Sequence, residues 1–366
     1  MKGSFKLGKI AEIGIFIHWT FSLLILFIVY VNYKAGQNLT QIFWSVLFIL
    51  CIFITVFLHE LGHALTAKKF GIKTKDITFL PIGGVARLER MPEKPSEELM
   101  VALAGPFVNI VLAFITSVFI TLPQTPEEMY ALLANGVNAN NFFLNFYLVN
   151  IVLAIFNLIP AFPMDGGRVL RAMLSYKLER HRATKIAARI GQGLAIGFVI
   201  LGFFSNPFLI FIGIFVFMGA QIESEYTETK YMLKGYKVRD VLMKQYPTID
   251  YNATLETAVK MMLDSQNKHF LVTENGIPMG TLNREQIIQA LSKKEDEMEL
   301  SSIMDRELIM LQADDLLEDV FELVYKNKAT LMLVIEDNQL IGTLDTENLM
   351  EFILINEVKA KRAHAK

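Results

Sequence analysis

Phe57-Leu58-His59-Glu60-Leu61-Gly62-His63 places two histidines four residues apart, with a glutamate directly after the first. On a helix, His59 and His63 lie one turn apart on the same face, so both imidazoles can reach one zinc ion. Glu60 lies about a third of a turn round, where it can stand beside that ion and take a proton from water. The bare pattern occurs by chance in many proteins; its setting here strengthens it. Ile42 to Leu58 contains no charged side chain, so His59 and Glu60 fall near one end of a stretch able to cross a bilayer. Ionisable groups there cost about 2.5–3.5 kcal/mol each on insertion scales, which a bound metal or a water-filled cavity would offset. The competing reading is a helix end at which His59 to Lys69 simply emerge into water.

A catalytic zinc usually takes three protein ligands and keeps one position open. The candidate for the third is Asp165, in Asn157-Leu158-Ile159-Pro160-Ala161-Phe162-Pro163-Met164-Asp165-Gly166-Gly167. Two prolines break the preceding apolar run and two glycines follow, which predicts a carboxylate presented from irregular backbone rather than from a helix face. The same neighbourhood reads equally well as a surface turn with a solvated aspartate. His18, among apolar residues, fits a packed or interfacial histidine better than a fourth ligand. Cys51 is the sole cysteine; it excludes an intramolecular disulfide and a multi-cysteine zinc site.

The elements that must position these groups are mostly apolar. Of 366 residues 53% are hydrophobic and 20% charged, with a mean hydropathy of +0.38. The distribution is more telling than the average: runs long enough to span a bilayer fill the chain up to Gln221, and the remainder is polar. The pattern predicts about six spans, near 13–33, 42–67, 98–122, 140–162, 186–204 and 207–220. Lysines and arginines at 2–9, 68–94 and 168–185 fall on one side of such a topology, and only Lys34 falls on the other. The positive-inside rule makes the first side, and both termini, cytoplasmic. Between the second and third spans, Gly83-Gly84 separates two short apolar runs and signals a hairpin turn. The net charge of −2 argues against a dedicated nucleic-acid binder.

Beyond Gln221, a charged connector (223–237) leads to two segments that echo each other. Val238-Arg239-Asp240-Val241 and Ser301-Ser302-Ile303-Met304 each precede a helix, an apolar strand and a Gly-Thr-Leu run, at Gly280 and Gly342. A repeat of about 60 residues implies two copies of one small α/β unit.

Taken together, HELGH at 59–63, AGPFVN at 104–109 and N-x-x-P-x-x-P-M-D-G-G at 157–167 resemble the site-2 protease family of intramembrane metalloproteases. Met164 stands where that family usually has leucine. The resemblance implies a metalloprotease domain over residues 1–222, in a polytopic α-helical membrane protein. It implies His59, His63 and Asp165 as ligands of one Zn2+ per chain and Glu60 as general base. It further implies that Asn157 hydrogen-bonds the substrate backbone or the developing oxyanion. Gly83 and Gly84 fall in the family's membrane-associated β-hairpin, which is thought to pair with an unwound substrate strand. That pairing has a physical basis, because a scissile bond inside a helix must be extended before water can reach it.

The polar half, 238–293 and 298–357, resembles a pair of CBS domains. That family often grips an adenine nucleotide through G-x-x-[ST]-x-x-D, but Asn283 and Gln286, then Asp345 and Asn348, replace the last two positions. Nucleotide binding is therefore not expected, whereas gating, homodimerisation or substrate recognition fits. The reading is an intramembrane endopeptidase acting on transmembrane protein substrates in the bilayer of the cell membrane. A transporter or channel with a CBS regulator, or an inactive CBS-bearing sensor, would explain the spans and the repeat but not HELGH paired with Asp165.

Overall fold

The computed structural model describes residues 3–81, 83–121, 123, 125–134, 136–265, 267–292, 299–327 and 331–364. The chain divides into two compact units, Met1–Glu225 and Tyr226–Lys366.

In the first unit, strands β1 (Ser4–Ile10) and β2 (Ile13–His18) precede helices α1 (Thr20–Lys34) and α2 (Leu39–Lys69). Strands β3 (Thr74–Leu80) and β4 (Gly83–Leu88) follow, then α3 (Pro95–Ser117), α4 (Pro126–Ala134), α5 (Phe142–Asn157), α6 (Asp165–Ser175), α7 (Arg180–Phe204) and α8 (Phe208–Met232), whose last residues lie beyond the boundary at Glu225. Helices α2, α3, α7 and α8 are long and apolar enough to cross a membrane. Helices α1 and α5 are apolar but have only 15 and 16 residues. At 1.5 Å per residue they cover about 22–24 Å, less than a hydrocarbon core of about 30 Å.

The segment 13–33, read as one span, is divided: Ile13–His18 is a strand and the helix begins at Thr20. A short β-branched and aromatic run cannot be told from helix by periodicity alone; here pairing decides it. β2 runs antiparallel to β1 and parallel to β3, and β3 runs antiparallel to β4, in the order β1-β2-β3-β4. Gly83 and Gly84 do not make the turn as the sequence suggested. They open β4, paired with Leu80 and Phe79, and Ile82 lies outside the described residues.

Helix α2 starts at Asn38, whose side chain accepts from the Gln41 N–H while the Gln41 side chain accepts from that of Asn38. This reciprocal cap satisfies two otherwise orphaned donors. Thirty-one residues on, Lys68 and Lys69 fill the last turn, where cations favour the helix dipole. One face of α2, with Phe57, Leu61 and Ala64, packs on Ile13 and Ile77 of the sheet. A second face, with Thr55, His59, His63 and Ala67, is buried and meets α3.

The second unit contains two copies of one motif. The first is β5 (Thr248–Asp250), α9 (Leu255–Ser265), β6 (His269–Glu274), β7 (Ile277–Asn283) and α10 (Arg284–Ser292). The second is β8 (Met310–Gln312), α11 (Leu317–Asn327), β9 (Leu331–Glu336), β10 (Gln339–Asp345) and α12 (Thr346–His364). Each copy has one parallel and one antiparallel pairing. The lead-in segments are exchanged: Met243, before the first copy, pairs with Thr343 of the second, and Asp305 pairs with Thr281 of the first. A Cβ on Gly280 would lie 2.6 Å from the Asp305 carbonyl oxygen, and one on Gly342 2.6 Å from that of Met243. The repeated Gly-Thr-Leu therefore marks where the lead-in strand of the other copy crosses.

Candidate metal centre

Three side chains from two helices converge in the first unit. His59 Nε2 lies 3.2 Å from Asp165 Oδ2, His63 Nε2 lies 3.1 Å from the same oxygen, and the two Nε2 atoms are 3.1 Å apart. All three residues are buried. The other ring nitrogens are already committed. Nδ1 of His59 faces Oδ1 of Asn109, and Nδ1 of His63 faces the Val101 carbonyl oxygen at 2.7 Å. Both partners are acceptors, so each imidazole carries its proton on Nδ1 and presents a bare lone pair from Nε2.

Three lone-pair atoms at this spacing repel one another unless a cation joins them. Tetrahedral zinc with bonds of about 2.0–2.1 Å sets its ligand atoms about 3.3 Å apart, close to the triangle seen. Room for the ion comes from Gly105 on α3. A Cβ there would lie 2.6 Å from His59 Nε2 and collide with His63 Nε2. The donor set, its tautomers and this space all fit zinc.

Asp165 does not come from irregular backbone, as the prolines and glycines suggested. It is the first residue of α6, preceded by Met164 in extended conformation. Side chains at Gly166 or Gly167 would strike the backbone of 158–162, so the two glycines let the first turn of a helix dock against the loop before it. A carboxylate in that first turn also complements the helix dipole. Its second oxygen, Oδ1, lies 3.8 Å from the Arg168 guanidinium.

Glu60 is half-buried beside this cluster. A Cβ on Gly84 would lie 3.3 Å from Glu60 Cγ and 3.0 Å from Val56, so β4 runs directly past the glutamate. Of the sheet's strands, β4 is the outer one on this side. Gly83 is one residue further along. Asn157 closes α5, and its amide donates to the Leu153 carbonyl at 3.0 Å, turned onto its own helix rather than toward His59, His63 and Asp165. His18 is also elsewhere: its Nδ1 is 2.7 Å from Thr20 Oγ1. Asn109 and Gly105 had no assigned role from sequence, although both lie within AGPFVN. Their spacing of four is the available signal, since it sets them on the α3 face that meets His59 and His63.

Peptidase family M50 matches residues 47–135 and 124–198, and the CBS domain matches 238–293 and 300–355. The zinc metalloprotease MJ0392 of Methanocaldococcus jannaschii is 33% identical over 360 residues, 98% of either chain. The chain belongs to peptidase family M50. A putative zinc metalloprotease of Synechocystis, sll0528, is 27% identical over 82% of this chain and 81% of its own. The solved site-2 protease from Methanocaldococcus jannaschii is 41% identical, covering 60% of this chain and 95% of that one, with a TM-score of 0.44. By family membership the M50 chain is a zinc-dependent intramembrane metalloendopeptidase with a tandem CBS pair. Membership decides between the readings left open by composition: the chain is a peptidase rather than a transporter or a channel.

Proposed function

We propose that His59 Nε2, His63 Nε2 and Asp165 Oδ2 hold the zinc of this endopeptidase and that Glu60 is its general base. The observation that carries the reading is the convergence of His59 Nε2, His63 Nε2 and Asp165 Oδ2, with each Nδ1 facing an acceptor oxygen on the far side of its ring. Zinc at such a site supplies Lewis acidity to the scissile carbonyl and to water. Glu60 takes a proton from the attacking water and returns it to the departing amine nitrogen as the C–N bond breaks. Asp165 Oδ1 keeps the Arg168 cation near the site. Asn157 must leave the Leu153 carbonyl and turn from its helix to donate to the substrate carbonyl.

The substrate strand docks along the outer edge of β4. Gly83 and Gly84 leave that edge free of bulk, and Gly84 brings it against Glu60. An unwound transmembrane segment laid there has its N–H and C=O groups satisfied by the sheet, which hydrocarbon cannot do. The basic loops place both termini and the HELGH end of α2 on the cytoplasmic side of the cell membrane, so cleavage falls near that face. In this arrangement α1 and α5 complete six crossings.

The protease domain spans 1–222, with a connector at 223–237 and CBS copies at 238–293 and 298–357. At the positions where CBS domains grip ribose, Asn283 and Gln286 cap each other at the start of α10. Asp345 likewise caps α12 through the Asn348 N–H at 2.7 Å. These side chains are committed to helix starts, so the pair acts through gating, dimerisation or substrate recognition rather than through that grip. The test of the chemistry is cleavage of a model transmembrane substrate in proteoliposomes by wild type and Glu60→Gln. Cleavage falls by about 10²–10⁴-fold with zinc content unchanged; undiminished cleavage would remove Glu60 from its role.

A further inference from the structure

Helix α6, which carries Asp165, is poorly equipped to hold itself. It has 11 residues with two glycines in its first turn. Helices of that length are marginal alone, and each glycine costs about 1 kcal/mol relative to alanine. One of its side chains, Arg171, is 1% exposed, the least expected fate for an arginine. Its Nε donates to Glu98 Oε1 of α3 at 2.8 Å, and its Nη1 donates to Glu223 Oε1 of α8. Its guanidinium also stands 5.0 Å from the centre of the Phe162 ring, in the loop leading to Asp165. Glu98 is shared with Arg180 of α7, which donates to Oε2 at 2.9 Å and to the Pro92 carbonyl at 2.9 Å. Two arginines and two glutamates make the cluster formally neutral.

Glu98 belongs to a pattern on α3. Glu98, Val101, Gly105 and Asn109 are all buried and, at 100° per residue, fall within about 80° of one helix face. Val101 and Asn109 orient the two histidines, and Gly105 leaves the space between them. We propose that Glu98 completes this stripe: through Arg171 it sets α6, and therefore the Asp165 carboxylate, in the same frame as the histidines. Arg171 is a positioning residue for the third ligand, about 9 Å along α6 from it, and touches neither metal nor substrate. The inference rests on Asp165 being a ligand, as proposed above.

The test uses the full chain in detergent, with zinc affinity read by competition against a chromophoric chelator. Arg171→Met alone takes the guanidinium away from the buried Glu98 and the partly exposed Glu223 at once. The better probe is Arg171→Met with Glu223→Gln, which removes one charge of each sign and leaves Glu98 paired with Arg180. This double variant loses about 10–100-fold in zinc affinity, the range found for groups that orient ligands. Arg171→Lys, which keeps one charged tie, recovers part of the loss. In an Asp165→Ala background the same double change alters zinc affinity less than twofold, because no third ligand remains to position. An equal loss in both backgrounds marks general damage and overturns the proposal, as does an unchanged affinity with Asp165 present. If Asp165→Ala itself leaves zinc affinity intact, the ligand assignment fails instead. Should the double variant not fold, Arg171→Lys and Glu223→Gln decide by the same comparison of backgrounds.

Discussion

The two units treat buried polarity in opposite ways. Every buried ionisable side chain among the described residues lies in the first: His59, His63, Asp76, Glu98, Asp165 and Arg171. Asp76 is held by Arg87 across β3 and β4; the other five form the candidate metal centre and the cluster behind it. In the second unit the polar residues buried as whole residues, among those described, are Thr281 and Thr343. Buried ions are weak sources of stability and strong sources of geometry. The first unit thus accepts their desolvation where three candidate ligand atoms meet, while the second is assembled from apolar clusters tied by exchanged lead-in segments.

Glycine shows the same contrast. Gly105 leaves a space that the histidine nitrogens surround, whereas Gly280 and Gly342 are filled by crossing backbone of the other copy. The first keeps side-chain bulk away from the converging nitrogens; the others are packing contacts.

Four substitutions press on this difference, from the largest effect to the smallest. His63→Ala removes a ligand, so zinc affinity falls by more than about a hundredfold, beyond what loss of an orienting group costs, and cleavage drops to background. Equilibrium dialysis gives the first number; retained affinity would mean the triangle is not the binding site. Gly105→Ala puts a methyl among the donors and weakens zinc by about a hundredfold, toward the top of the range for supporting groups, while the melting of the second unit is unchanged. Asn109→Leu frees the His59 tautomer and costs roughly tenfold in zinc affinity, the lower end of that range. A result as severe as His63→Ala would show that Asn109 does more than orient. Gly342→Val overpacks the lead-in crossing and destabilises the second unit by about 1–3 kcal/mol, seen in urea melts, with zinc content intact. Zinc loss in that variant would break the separation drawn between the units.

What could be read from sequence follows the same line. His59 and His63 were legible because one helix turn relates them, and the CBS repeat was legible because its glycines recur. The ligand role of Asp165 came only through family resemblance, since its partners are 102 and 106 residues away in sequence. Its helical setting was missed because Pro160, Pro163, Gly166 and Gly167 read as helix breakers, while tight docking against 158–162 makes those glycines useful. The strand at Ile13–His18 was hidden in an apolar run whose fate depended on β1 and β3. Glu98 and Arg171 carried no local signal, because their partners lie on other helices, and Asn109 offered only its spacing of four from Gly105.

The central claim, that these three side chains form one zinc site, is tested most directly by metal content. Elemental analysis of the purified wild-type chain and of Asp165→Ala, both after dialysis against a weak chelator, should give about one zinc per chain in the first, as expected for a mononuclear catalytic site, and a small fraction of that in the second. Stoichiometric zinc surviving in Asp165→Ala would contradict the account.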